Sequence, residues 1–339
     1  MLYNLVVLIV IIRKELLFMQ YGIIDIGSNS IRLAVYRSHG NKITQLFSQK
    51  SYSSLISYHE NGYMTDDGVE IAINTVIELY SIAKKLNTSI VHILATASLR
   101  NIRNKDEIVD AIYEGTGENT ILLTGKEEAF FGCMGVLSAF DTRNGICVDL
   151  GGGSFEITQY SNREIINSTS IDMGSLLIYE EYVRGLLPSK RELNKIRKVV
   201  NASLKDVHWL KNASPDDFYV IGGTGRAWAK LHRGLTAKTQ ELNGYSIKTN
   251  QLWEVVDTIC SMGISGVKYL NRVIPERVST ALPGIAILSC ISDFCNAKKV
   301  SVSKFGLREG YFTSKILKSK GGKFEWENQN KTTILSTES

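Results

Sequence analysis

Residues 148–160 read VDLGGGSFEITQY, and residues 24–36 read IDIGSNSIRLAVY. A shift of 124 positions lays Asp25 on Asp149, Gly27 on Gly151, Ser30 on Ser154 and Tyr36 on Tyr160. Apolar Ile24 and Ile26 fall on Val148 and Leu150. Each copy continues as an alternating strand (Ile31, Leu33, Val35; Phe155, Ile157), then a polar turn (SHGN; SNR), then a third strand from Ile43 or Ile165. Both stretches therefore read strand, tight turn, strand, turn, strand. Matching order of elements makes duplication a better explanation than chance.

The elements beyond each copy are also alike. In the first half Thr65 precedes a helix with apolar Val69, Ala72, Ile73, Val76, Leu79, Ala83 and Leu86. Strand Ile90–Ala95, a helix from Asn104, a short strand Thr120–Leu123 and a helix from Lys126 come next. Asn104 and Glu107 have the spacing of a capping box. The second half predicts helices at Leu176–Arg184 and Glu192–Leu204, strand Phe218–Ile221, and helices at Arg226–His232 and Leu252–Met262. A long helix Glu276–Phe294, strand Val300–Ser303 and a last helix Arg308–Lys318 complete it. Three antiparallel strands followed by alternating helices and strands, twice over, is an α/β pair of lobes with a cleft between them. The expected domains are 19–143 and 144–320, with residues 321–339 a polar tail that frays.

Composition fits that picture. The chain has 339 residues, 44% of them hydrophobic and 22% charged, with four prolines, which suits two ordinary domains. The formal net charge of +5 is scattered and forms no nucleic-acid stripe. Five cysteines without CxxC spacing, mostly in apolar runs, read as buried free thiols of a reducing compartment. The five histidines have no metal-ligand spacing. Leu5–Ile12 is too short to span a bilayer at ~1.5 Å per residue. No basic residue precedes it and no small-residue cleavage site comes after it. Residues 1–18 are therefore expected to be an upstream extension ahead of a start at Met19, and the protein is expected to be cytoplasmic.

Neither glycine loop matches a common phosphate fingerprint. GxxxxGK[ST] is absent, and Gly151-x-Gly153 opens a strand instead of a helix. Each loop turns between two strands, where glycines let successive backbone N–H groups converge on an anion. A lone loop of this kind could equally be a hairpin turn with a capping aspartate; two copies favour phosphate. Asp25 and Asp149 stand at the strand ends and would repel a phosphate unless a cation intervenes. Mg²⁺, held by one or two carboxylates plus water and phosphate oxygens, resolves that conflict.

IDIGSNSIRL, ATASLRNIRN, LTGKEEAF, VDLGGGSFEI, VIGGTGRAWAKL and FGLREGYF, in this order, resemble the exopolyphosphatase / guanosine pentaphosphate phosphohydrolase (Ppx/GppA) family. The resemblance runs from about Tyr21 to about Lys318. It implies two RNase H-like lobes of the actin-like (sugar kinase, Hsp70, actin) superfamily, a cleft site, and Mg²⁺-dependent release of terminal phosphate from polyphosphate or pppGpp. Matched residue by residue, Asp25, Gly27, Ser28, Asn29 and Ser30 would hold phosphate from one lobe, and Gly151, Gly152, Gly153 and Ser154 from the other. Arg100 matches the family's phosphate-binding arginine, and a bidentate guanidinium suits a transferring phosphoryl group. Glu156 could ligate metal, orient water or face solvent.

Thr124-x-x-Glu127 has capping-box form, which gives Glu127 a structural task and lets Glu128 point elsewhere. Glu128 also matches the family's catalytic base, the group that would deprotonate water for in-line attack. Gly223 and Thr224, between a strand and a helix, suit an anion, a guanosine or nothing at all. Three positions depart from the family pattern: Phe155 for threonine, Leu177 for arginine and Thr280 for aspartate. The losses near the cleft bear on phosphate affinity and substrate choice. Polyphosphate or pppGpp is the expected partner, with no DNA, RNA or membrane and a homodimer the one assembly entertained. A kinase of the same superfamily and a non-catalytic nucleotide sensor or filament former are the competing classes.

Overall fold

Alternating apolar residues build the first sheet. The computed structural model describes residues 19–319 and 322–328, so the expected extension and most of the polar tail lie outside the described residues. β1 (Gln20–Ile26), β2 (Ser30–His39) and β3 (Lys42–Tyr52) form an antiparallel meander. A 3₁₀ turn at Leu55–Tyr58 and the small hairpin β4 (His59–Glu60) and β5 (Tyr63–Met64) lead to α1 (Asp66–Lys85). Ala72, Val76, Leu79 and Ala83 recur every three or four residues and are buried. β6 (Ile90–Ala95) then pairs parallel with β1, followed by α2 (Ala97–Arg100), α3 (Lys105–Thr116) and β7 (Thr120–Leu122). The core lies between this sheet and its helices, around Ile24, Ile26, Leu33, Val76 and Ile93.

The second sheet repeats the first. α4 (Gly125–Ala139) precedes β8 (Gly145–Leu150), β9 (Phe155–Ser161) and β10 (Glu164–Ile171). All six β8–β9 register pairs, from Gly145 with Tyr160 to Leu150 with Phe155, reproduce β1–β2 pairs at the 124-residue shift. Asp25 opposite Arg32 becomes Asp149 opposite Glu156. α5 (Ser175–Tyr182), α6 (Lys190–Lys205), β11 (Asp217–Ile221), α7 (Gly222–Thr236) and β12 (Ser246–Lys248) come next. α8 (Asn250–Ser261), α9 (Ile264–Val273), α10 (Ala281–Phe294), β13 (Lys299–Val302) and α11 (Leu307–Tyr311) finish this unit. The sheet orders are β3-β2-β1-β6-β7 and β10-β9-β8-β11-β13, each extended by one edge strand. This is the mixed α/β, RNase H-like arrangement expected, present twice.

β8 is apolar from Ile146 to Val148 because both its faces are covered there. Ile146, Val148 and Leu150 join the large core with α7 and α10, while Cys147 joins Cys133, Met134 and Leu137 of α4 on the other side. Burial raises the thiol pKa of Cys147 well above its usual value and those of Cys290 and Cys295 to about 12. All five cysteines are free thiols, and Cys260 alone is only half-buried.

Several local expectations change. The first compact unit ends at Leu123 and the second begins at Thr124, earlier than the expected boundary after residue 143. The cause is α4, which packs on β8, β9 and β10 and so belongs to the second unit. Asn104 does cap α3, but without a side-chain cap bond. Its amide instead accepts from Met64 N–H (3.0 Å) and donates to Met64 O (2.9 Å), fastening the β5 hairpin. The long helix starts at Ala281 instead of Glu276. Pro283 has no N–H to give, which suits a first turn and not an interior. Past α11 the chain makes a π-helical turn, Phe312–Ile316. Part of the expected frayed tail is β14 (Glu325–Asn328), which pairs parallel with β3 in the first unit, with Lys42 Nζ 2.8 Å from Glu327 Oε1. No helix among the described residues is long and apolar enough to cross a membrane.

The FGLREGYF motif has a packing basis. A Cβ on Gly310 would run into Phe131 O, and one on Gly135 into Gly306. α4 and α11 therefore touch backbone to backbone through glycines on both sides. Gly310→Ala should destabilise the second unit by about 1–3 kcal/mol, the usual overpacking cost, seen as a lower urea midpoint. An unchanged midpoint would mean the two helices can part freely.

Candidate active site

Both glycine loops close in the same way. Gly27 N–H donates to Ser30 O at 3.2 Å, and Gly151 N–H to Ser154 O at 3.0 Å. In the first unit Ser28 is buried, while Asn29, Ser30 and Asp25 are half-buried. The end of β1 is anchored where Ile26 O accepts from Thr96 N–H (3.2 Å), Thr96 Oγ1 (3.1 Å) and Ser98 Oγ (2.9 Å). The same short α2 carries Arg100, whose Nη1 donates to Leu123 O at 2.8 Å. That bond orients the guanidinium.

In the second unit Asp149 and Glu156 are direct cross-strand partners, so their side chains share one face of the sheet. Glu156 is only 4% exposed. Its Oε1 accepts from Ser154 Oγ and Ser170 Oγ, both at 2.8 Å, which ties the loop serine to the strand carboxylate. Glu156 is thus buried, and of the alternatives left open the solvent-facing one is excluded.

A Mg²⁺ ion takes one or two carboxylates and keeps waters or phosphate oxygens. The Asp149/Glu156 pair matches that donor set. No group of three or more His, Cys, Asp or Glu among the described residues could hold a metal alone. Asp25 stands opposite Arg32, a guanidinium in place of a second carboxylate, so the first loop is the poorer metal half-site.

The T-x-x-E pattern folds as a capping box. Thr124 Oγ1 accepts from Glu127 N–H at 3.2 Å, and Glu127 Oε2 accepts from Thr124 N–H at 2.9 Å. The Thr124 backbone bond is the main reason the Glu127 carboxyl lies below its usual range. Glu127 is exposed and committed to the cap; Glu128 is 7% exposed and turned inward. Gly132, one turn further along the same helix face, lies against the Asp149 carboxylate, its Cβ position 3.8 Å from Oδ2. That puts Glu128 one helical turn from the residue beside Asp149.

The loop after β11 divides its tasks. Gly222 has φ +83°, and a Cβ there would sit 2.7 Å from Asp149 Oδ1. A Cβ on Gly223 would strike the Arg277 guanidinium. Thr224 is fully buried, with its methyl filling the space above Gly284 of α10. Its Oγ1 is buried without a hydrogen-bond partner. Sequence reasoning missed the surroundings of this loop. Arg226 is lowered to about 10 by burial and by neighbouring Arg308 and Arg277, against the opposing pull of Asp149 and Glu309. Arg226, Arg277 and Arg308, far apart in the chain, thus lie within electrostatic reach of one another and of Asp149 and Glu309. The available signal was an arginine one turn into a glycine-rich helix start, followed by another inside a G-x-R-E-G run.

A family model described as the Ppx/GppA phosphatase family matches residues 34–319. Exopolyphosphatase 1 of Mycobacterium leprae (strain TN) is 23% identical over 304 residues, 88% of this chain and 90% of its own. The bifunctional 3-dehydroquinate synthase/phosphatase of Fusobacterium nucleatum subsp. nucleatum is 25% identical, over 83% of this chain and 44% of its own. Among solved structures, a Ppx/GppA member from Aquifex aeolicus superposes with a TM-score of 0.77 at 23% identity, covering 89% of this chain and 99% of that one. An exopolyphosphatase from Cytophaga hutchinsonii gives 0.79 at 19%, covering 90% and 100%. The fold is therefore the one these Ppx/GppA structures share.

A carboxylate whose folded pKa is depressed stabilises the fold above its unfolded pKa and loses that contribution as pH falls through the folded value. Glu127→Gln should thus be less stable than the parent near neutral pH, by a few tenths to about 1 kcal/mol, and match it in acid. Urea midpoints at both pH values check this; a difference that persists in acid would contradict it.

Proposed function

We propose that this chain, which belongs to the Ppx/GppA phosphatase family, is a phosphoanhydride hydrolase that releases terminal orthophosphate from inorganic polyphosphate. The observation that carries the proposal is the division of labour on α4. Glu127 is held in the cap, and Glu128 is buried one turn from the helix residue that lies on Asp149. A buried carboxylate without a capping task suits a general base that takes a proton from the attacking water. The Gly152 and Gly153 amides orient the phosphate, and Ser154 of the same loop is itself fixed by Glu156. On the first unit, residues 27–30 and Arg100 are assigned phosphate contacts, the arginine neutralising charge that builds on the leaving oxygens. Asp149 and Glu156 would hold Mg²⁺, which when bound neutralises phosphate charge and polarises the phosphoryl group. The same chemistry would serve pppGpp, whose terminal anhydride is alike. The names of relatives at 23–25% identity support the class of reaction, with the substrate left to experiment.

Phosphate release from polyphosphate and pppGpp, measured side by side with and without Mg²⁺, tests the proposal; release from neither would overturn it. Glu128→Gln should keep substrate binding while lowering turnover about 10²–10⁴-fold, with Glu127→Gln near normal. The reverse outcome would move the base to Glu127. Asp149→Asn should raise the Mg²⁺ concentration needed for half-maximal rate, because a carboxylate becomes a neutral amide. An unchanged requirement at reduced rate would shift the metal to Glu156 or Asp25.

A further inference from the structure

In a trans peptide the C=O and the following N–H point in opposite directions. Fixing a carbonyl therefore fixes where the next amide points. In the second loop Gly151 O accepts from both Ser175 N–H (2.9 Å) and Ser175 Oγ (3.1 Å). Gly152 O accepts from Leu176 N–H (3.0 Å) and Leu177 N–H (3.2 Å). These donors are the first-turn groups of α5, which have no partner within their own helix. With both carbonyls held against α5, the N–H groups of Gly152 and Gly153 are turned to the opposite side.

The approach is as close as chemistry permits. A Cβ on Gly174, the residue before α5, would collide with the Gly152 carbonyl and with Gly153 N. Gly174 has φ −77°, so glycine is needed there for space and not for backbone freedom. Ser175 is 1% exposed, out of reach of any ligand.

The first loop is held by the same device. Ser28 O accepts from Ile56 N–H (3.1 Å), and Asn29 O from Ser53 and Ser54 N–H (3.3 and 3.2 Å). In each copy, then, a segment just after the third strand returns to grip the loop's carbonyls from behind.

We propose, resting on the phosphohydrolase function above, that Gly174 and Ser175 are positioning residues: by gripping the Gly151 and Gly152 carbonyls they aim the Gly152 and Gly153 amides at the substrate's phosphate without touching it. Their contribution belongs to anion binding. Ser175→Ala removes one of the two donors to Gly151 O and should raise KM, and the Ki for orthophosphate, about 3- to 10-fold. kcat should stay within about twofold. Gly174→Ala pushes the Gly152 peptide out of place and should cost up to about 10²-fold in kcat/KM, the scale of a misplaced binding group.

The test compares full-chain parent and both variants in thermal unfolding, steady-state kinetics on polyphosphate, and amide NMR of Gly152 and Gly153 titrated with inorganic phosphate. Support is a rise in KM and Ki at nearly unchanged Tm, with the phosphate-dependent shifts of the two glycine amides reduced in the variants. Folded variants whose KM, Ki and amide shifts match the parent would overturn it. If the parent hydrolyses neither substrate, the functional proposal fails, and the amide titration still decides the positioning role. Shifts seen in the parent and lost in Gly174→Ala would sustain it; no shift in the parent would end it.

Discussion

A phosphate held by a protein backbone needs amide hydrogens aimed at one point, and amide hydrogens cannot be aimed without disposing of the carbonyls attached to them. Each carbonyl of a tight loop must find a donor elsewhere or lie in water. In this chain both glycine loops meet that requirement with a returning segment: the start of α5 behind Gly151 and Gly152, and residues 53–56 behind Ser28 and Asn29. The glycines follow from this constraint. Gly174 lets α5 approach the loop, Gly222 makes room for the Asp149 carboxylate, and Gly223 makes room for Arg277. Glycine at these positions is a matter of crowding around a charged centre more than of loop flexibility.

Charge is arranged around the same strand end. Asp149 and Glu156 share a sheet face, and Arg226, Arg277 and Arg308 lie with Glu309 nearby. Half-buried guanidiniums beside a carboxylate limit the cost of gathering so much charge. α4 lies beside the same strand end. Its cap consumes Glu127, and its glycines let it lie directly on α11 and against Asp149, so that the next residue, Glu128, is carried inward.

Much of this was legible in the sequence wherever the governing physics is local. The 124-residue repeat, the strand–turn–strand order, the α1 stripe and the Thr124–Glu127 box all depend on neighbours within a few positions, and the structure reproduces them. Where a distant partner decides, reading failed. Asn104 looks like a capping-box residue, yet its amide is taken by Met64. The contact of the Thr224 methyl with Gly284 of α10 has no local sequence signal. The short strand β14 has no periodicity to announce it and exists because β3 offers an edge. The arginine cluster draws on residues 226 and 308, which follow the parallel neighbours β11 and β13, and on residue 277 from the turn ahead of α10.

The central claim is that water, activated by a buried glutamate, attacks a terminal phosphorus with no other acceptor involved. Hydrolysis of polyphosphate in ¹⁸O-water, with the orthophosphate analysed by mass, tests it most directly. The account predicts that each phosphate released carries one oxygen from solvent and that release needs no added alcohol or carboxylate. Unlabelled phosphate, or transfer seen only when an acceptor is supplied, would contradict it and place the chain among phosphotransferases.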